Sequence, residues 1–210
     1  GGSGSSGWGL TGNSGTNPAT DFIGTTDNVP FYIRVNNDTV AKYGTQGNIS
    51  LGLETTASGL FSFATGGNTT ASGDYSTAMG NTSIASGDAS LSIGYGNTAS
   101  GMNSTAMGNF STASGDNSTA IGRGAVVSAL SSIALGSEFE NSIDSSLQIG
   151  FYNPAITVRN TNNVGIGTTS PDSTLSVVGG IKQTNNYYTA APSNTMLVYD
   201  TLTGGYGHQA

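Results

Sequence analysis

Between residues 49 and 150 apolar, small and polar positions recur with a period of 14 residues. One half of each period reads Ser-x-small-apolar-Gly, as in Ser76 to Gly80, and the other closes on Ala-Ser-Gly, as at 71–73, 85–87, 99–101 and 113–115. Glycine marks the 14-residue register at Gly52, Gly66, Gly80, Gly94, Gly108, Gly122, Gly136 and Gly150. It also falls midway at Gly59, Gly73, Gly87, Gly101 and Gly115, and the midway series breaks at Ala129 and Ile143. Before each register glycine stands Leu51, Thr65, Met79, Ile93, Met107, Ile121, Leu135 or Ile149, and two residues earlier Ile49, Phe63, Thr77, Leu91, Thr105, Thr119, Ile133 or Leu147. Strand side chains alternate between faces, so these two files share one face. The residue between them is small in most coils (Ala64, Ala78, Ser92, Ala106, Ala120, Ala134), which suits a thin interior or a tight contact with a neighbouring chain. The pattern predicts seven coils, each with two strands of four or five residues and a glycine-bearing corner at each end, stacked as a parallel β-roll. At about 4.8 Å per coil the roll is roughly 34 Å long.

A seven-residue spacing also raises a coiled coil. Glycine, serine and threonine at this density oppose a helix, and the apolar sites do not alternate as a and d between charged flanks. At a corner, by contrast, glycine supplies positive φ or close approach to the next coil without a Cβ clash. Ser62, Ser76, Ser90, Ser104, Ser118, Ser132 and Ser146 hold one position in all seven coils, where a hydroxyl can bond to nearby backbone. Each coil offers only two or three apolar side chains against the ordering of 14 residues, so a lone roll is under-buried. Burial of its apolar face against copies of itself makes an obligate oligomer the expectation.

Composition narrows the function classes. The 33 glycines and 8% charged residues are far from an ordinary compact domain. Net charge is -7, and the basic residues Arg34, Lys42, Arg123, Arg159 and Lys182 are scattered, so no patch exists to neutralise a nucleic-acid backbone. Cysteine is absent, which removes disulfides, thiolate metal sites and a cysteine nucleophile. No apolar run approaches the roughly 18 residues that would span a bilayer, so membrane insertion of this segment is not expected. The opening GGSGSSG at residues 1–7 reads as a linker, a processed end or a scar, and the sequence as a piece of something longer.

The segments YSTAMG (75–80), NSTAMG (103–108), NSTAIG (117–122) and SSIALG (131–136), alternating with Ala-Ser-Gly corners, resemble the head repeats of YadA-like trimeric autotransporter adhesins. The resemblance implies a trimer of left-handed parallel β-rolls in an extracellular, cell-surface fibre, without enzymatic activity or cofactor. Members use such heads to bind host matrix or cell surfaces. A homotrimer is therefore the expected partner state, with an unidentified glycan or protein as ligand. Residues 9–37 and 163–182 resemble linker modules of phage tail fibres and of tail-fibre-like bacterial surface proteins, which often end in a self-cleaving chaperone. They share Ile-Gly-Thr-Thr at 23–26 and 166–169. A phage receptor-binding segment, or a structural shaft with its binding site elsewhere in a longer chain, are the alternatives. The expected organisation is a linker at 1–7, β connector modules at 8–47 and 153–182, the roll at 48–152, and a strand or tail segment at 183–210.

Candidate chemistry is sparse. The one histidine, His208, is the third residue from the end and is a poor base for a triad. Asp74, Asp88, Asp116 and Asp144 share one register after the corner glycine, with Met102 in place of a fifth; solvated turns are the plain reading and cation bridging between coils the other. Glu54, Glu138 and Glu140 are the glutamates among which a glycoside-cleaving pair could be sought, and nothing in the sequence places two of them across a cleft. The G-x-G pieces at Gly94, Gly96, Gly165 and Gly167 lack a following helix and read as turns. Thr56, Thr70, Thr98 and Thr112 form a file of the kind that orders water, interrupted by Ile84 and Val126; Thr77, Thr105 and Thr119, broken by Leu91 and Ile133, better suit an interior row. Phe61, Tyr75, Tyr95, Phe110 and Phe139 stand at variable coil positions and are the candidate surface contacts, since exposed rings stack on sugars or peptides.

Overall fold

A computed structural model describes residues 9, 11–179, 198–200 and 205–207. The 1–7 linker, His208 and most of the 183–210 tail lie outside the described residues. Two units divide the chain, residues 1–179 and 180–210. Among the described residues all regular structure is β.

A hairpin comes first, β1 (Phe31–Val35) against β2 (Asp38–Tyr43). Each coil then supplies one five-residue and one two-residue strand: β3 (Ile49–Leu53) with β4 (Thr56–Ala57), β5 (Phe63–Gly67) with β6 (Thr70–Ala71), β7 (Thr77–Asn81) with β8 (Ile84–Ala85), and β9 (Leu91–Tyr95) with β10 (Thr98–Ala99). The series continues with β11 (Thr105–Asn109) and β12 (Thr112–Ala113), β13 (Thr119–Arg123) and β14 (Val126–Val127), and β15 (Ile133–Ser137) and β16 (Glu140–Asn141). A last long strand, β17 (Ser146–Phe151), reverses into the antiparallel β18 (Asn153–Arg159), and β19 (Val164–Ile166) and β20 (Leu175–Val177) follow. In the second unit β21 (Val198–Asp200) pairs antiparallel with β22 (Gly205–Gly207).

The long strands pair in parallel at the 14-residue register, Met79 opposite Ile93 and Met107 opposite Ile121, and with β1, β2 and β18 to β20 they make one 13-stranded sheet. The short strands form a seven-stranded parallel sheet. The solenoid is as expected, but the second strand of each coil has two residues instead of four or five. Directly after the short strand the regular ladder stops, since two successive amides, those of Ser72 and Gly73, donate to the one carbonyl of Ala85 (2.9 and 3.4 Å), and the corner then turns through a left-handed residue such as Tyr75 at φ 59°.

The space between the two sheets is filled by small side chains. Ala78, Ala106 and Ala120 from the long strands and Ala71, Ala85, Ala99 and Ala113 from the short ones are fully buried, with buried serines beside them. The large apolar files therefore lie outside. Met79, Ile121, Ile133 and Ile149 are exposed on the outer face of the long-strand sheet, and Thr77, Thr105 and Thr119 share that face instead of forming an interior row. With alanine and serine at most interior positions, and larger side chains such as Val127, Phe139 and Gln148 towards one end, the strand period of two sends most of the bulk outward.

One feature holds the coils close and another braces some of the corners. At Gly94 φ is 128°, and a Cβ there would overlap the carbonyl oxygen of Gly108 in the next coil. Within a corner Ser62 and Ser76 donate their hydroxyls to the carbonyls of Gly59 and Gly73 at 2.7 and 2.6 Å, whereas the hydroxyls of Ser90, Ser104 and Ser118 in the same register are buried without a partner, so the expected bond does not recur in every coil. The open edges are closed as well. β2 and β18 cover the ends of the long-strand stack, and at β4 the Ala57 N–H donates to Ser50 Oγ (2.8 Å) while its carbonyl accepts from Asn48 Nδ2 (2.6 Å).

Candidate functional site

Each coil turns twice, and the two corners carry the residues that vary. After each short strand a left-handed residue protrudes, and in the first two coils these residues are Phe61 (φ 53°) and Tyr75 (φ 59°). Both rings are exposed and stack with centroids 5.7 Å apart and planes at 24°. Phe61 lies over Gly47, where a Cβ would collide with its ring. At the opposite corner, after each long strand, Tyr95 meets Phe110 edge to face, with centroids 5.1 Å apart and planes at 89°, and Phe110 lies over Gly96. Glycine one coil earlier thus gives Phe61 and Phe110 a seat, while their left-handed backbone fixes the direction in which they project.

Phe139 differs from the other four. It is 6% exposed and packs inside the roll with Ala125, Val127 and Ala134. Its register is that of Thr69, Ser83, Asn97, Ser111 and Ala125, all interior, so it is a core residue and leaves the set of surface rings. Besides Phe22, Tyr32 and Tyr43 ahead of the roll, two further aromatics outside the candidate set are exposed, Phe151 and Tyr152 (φ 58°). They stand in the 14-residue registers of Tyr95 and Phe110, and that spacing was the signal that could have found them. The corner after the long strands therefore carries Tyr95, Phe110, Phe151 and Tyr152 along one edge of the roll.

The aspartate file has a structural role. The carboxylate of Asp74 accepts the Leu60 N–H at 2.8 Å, Asp88 that of Asp74 at 3.0 Å, Asp116 that of Met102 at 2.8 Å, and Asp144 that of Leu130 at 2.8 Å. Each ties its own coil to the one before, which accounts for the shared register. Asparagine keeps the accepting oxygen, whereas alanine removes it. Asp88→Asn is thus expected to melt within about 1 °C of the parent, and Asp88→Ala to lose about 1 kcal/mol, roughly 2–4 °C of Tm. Equal melting of the two variants by circular dichroism would refute the bridge.

The glutamates do not converge. Glu54 and Glu138 occupy the same corner at opposite ends of the roll. Glu138 pairs with Arg123 at 2.8 Å, and Glu140 accepts from Ser128 Oγ at 2.5 Å. The outward threonine file runs Thr56, Thr70, Ile84, Thr98, Thr112, Val126 and Glu140 in cross-strand register, one residue wide and interrupted three times. Gly94 and Gly96 sit in and after β9, and Gly165 and Gly167 in and after β19; none precedes a helix among the described residues. Among the described residues no group of three or more His, Asp or Glu side chains gathers as metal ligands would.

The largest continuous feature is the outer face of the 13-stranded sheet, apolar and uncovered. Compared with known families, residues 57–83, 85–111 and 113–138 match the YadA head domain repeat (2 copies). No curated protein matches the chain.

Proposed function

Residues 57–138 of this chain are a YadA-like head β-roll, and from that premise we propose that the chain is a segment of a homotrimeric adhesive fibre displayed at a cell surface. The family is one of trimeric, surface-exposed adhesins, and the uncovered apolar face of the long strands is the observation that carries the reading. Met79, Ile121 and Ile149 would be left in water on a monomer whose own interior buries little beyond alanine and serine. Association of three copies through this face removes it from solvent and leaves the corners outside, where Phe61, Tyr75, Tyr95 and Phe110 are placed to stack on a sugar or peptide of the contacted surface.

Light scattering of the chain in dilute neutral buffer is expected to give three times the 21.0 kDa of one copy. Ile121→Asp, which sets an unpaired carboxylate in the seam, is expected to abolish that mass, while Thr98→Asp on the other sheet retains it. A monomer from the unmodified chain would sink the proposal. A specific observation favours a second reading of the same trimer, that of a shaft. The two aromatic pairs stand at opposite corners instead of around one cleft. Binding of the isolated trimer to glycans and whole cells, reduced by Tyr95→Ala with Phe110→Ala, supports the contact role; no binding by the unmodified trimer supports the shaft.

A further inference from the structure

The apolar face does not stop where the repeats stop. In an antiparallel pair, residues directly opposite one another point to the same face of the sheet. Tyr43 lies opposite Ile49 and Ala41 opposite Leu51; one strand further out, Phe31 lies opposite Tyr43 and Ile33 opposite Ala41. At the other end Ile149 lies opposite Ile156 and Leu147 opposite Val158, then Ile156 opposite Ile166, and Ile166 beside Val177. Two positions on each of the 13 strands thus form one double file from β1 to β20, and all are apolar except Thr65, Thr77, Thr105 and Thr119, which lie inside the roll region. Spaced at about 4.8 Å per strand, the file is roughly 58 Å long.

Three observations mark it as a single surface. The file is exposed in the roll and in both connectors, Ile33 at 43%, Ile121 at 39%, Ile156 at 38% and Ile166 at 43%, with only the small Ala41 buried among its members. The connector cations avoid it, since Lys42 pairs across from Tyr32, and Arg159 across from the buried Ser146, both on the other face. Finally, the strand direction reverses at both junctions, where a slip of one residue would turn every apolar side chain to the opposite face, yet the file continues without a break.

We infer that both connector modules, β1 with β2 and β18 to β20, belong to the same copy-to-copy seam as the roll; this rests on the oligomer proposed above. The occupant of the connector faces is the matching strands of a second copy of this chain. A partner in contact along the whole file must repeat its spacing and present no charge to it, and a copy related by rotation about the fibre axis does both, strand against like strand. The connectors also supply what the repeats lack. Near-identical coils allow neighbouring copies to slide by one coil and still meet apolar with apolar. The bulky Phe31, Ile33 and Tyr43, which with Ile23 and Gly24 line a groove of about 590 Å³ at one end, occur once per chain and break that degeneracy.

Because the chain has no cysteine, single-cysteine variants of the full chain report proximity cleanly. Ile33→Cys, Ile121→Cys, Ile166→Cys and, as the control on the other sheet, Thr98→Cys are each treated with a short bismaleimide, with the mass of each variant measured beforehand. The expected result is a covalent dimer band at positions 33, 121 and 166 and none at 98. Cross-linking at 121 without 33 and 166 would overturn the inference and leave the oligomer standing. A monomeric mass with no band at 121 would overturn both.

Discussion

Gly108→Val is expected to abolish the roll. The residue has φ 121°, where an L side chain is strained, and a Cβ would overlap the carbonyl oxygen of Gly122, which is backbone and cannot swing aside. Relief requires β11 and β13 to separate, and with them the pairing of Met107 with Ile121. The cost exceeds about 3 kcal/mol, a loss of roughly 10 °C or more in Tm, and in a solenoid the damage isolates the coils on either side because each contacts only its neighbours. Gly67→Ala is the internal control. Its added Cβ meets only the Asn81 amide at 3.0 Å, a side chain that can rotate away. Melting of Gly108→Val within a few degrees of the parent would mean that the coils are not packed backbone to backbone.

The same steric demand explains how much of the fold could be read from residues alone. A backbone position that admits no Cβ must be glycine in every coil, so the 14-residue register stands out whatever occupies the variable sites. Register also groups residues by face, but it does not say which face is inside. That choice was open, and the habit that large apolar residues make the core pointed the wrong way for the Thr77 file. Here Ala106 and Ala120 are inside while Met107 and Ile121 are outside, because the interior is thin. The candidate contact residues were legible to the extent that register was applied to them. Phe61, Tyr75, Tyr95 and Phe110 are exposed, Phe139 falls in an interior register, and Phe151 and Tyr152 fall in exposed ones. The aspartate file showed its regularity in the sequence, but its cause, an N–H of the preceding coil, is a distance between coils and could not be seen without them.

If the interior is as thin as this, Ala106→Leu should damage the roll almost as much as Gly108→Val, for the opposite reason. Ala106 is fully buried between Ser92 and Ala120 on its own sheet, with Ala99 and Ala113 in the same cluster. Three added carbons would press on Ser92, Ala99, Ala113 and Ala120, none of which has a side chain that can rotate away, so the strain falls on the backbone of both sheets. Overpacking in an ordinary core costs about 1–3 kcal/mol because larger neighbours rotate away; here the upper end or more is expected, a fall of roughly 6–12 °C. The seventh coil shows how the roll admits a large interior residue. Phe139 fits between Ala125 and Ala134, its ring edge at 3.0 Å from where a Cβ of Gly136 would stand. Space is thus obtained by keeping the surrounding positions minimal, which predicts the converse pair. Phe139→Ala leaves a cavity and costs about 3–5 kcal/mol, and Gly136→Ala fails more severely than the φ of 140° alone would require, since it meets both the Gly150 carbonyl and the Phe139 ring. Thermal melts of Ala106→Leu and Phe139→Ala side by side decide the matter: an unaltered Ala106→Leu would show that the sheets can part, and the outward placement of Met107 and Ile121 would then need another cause.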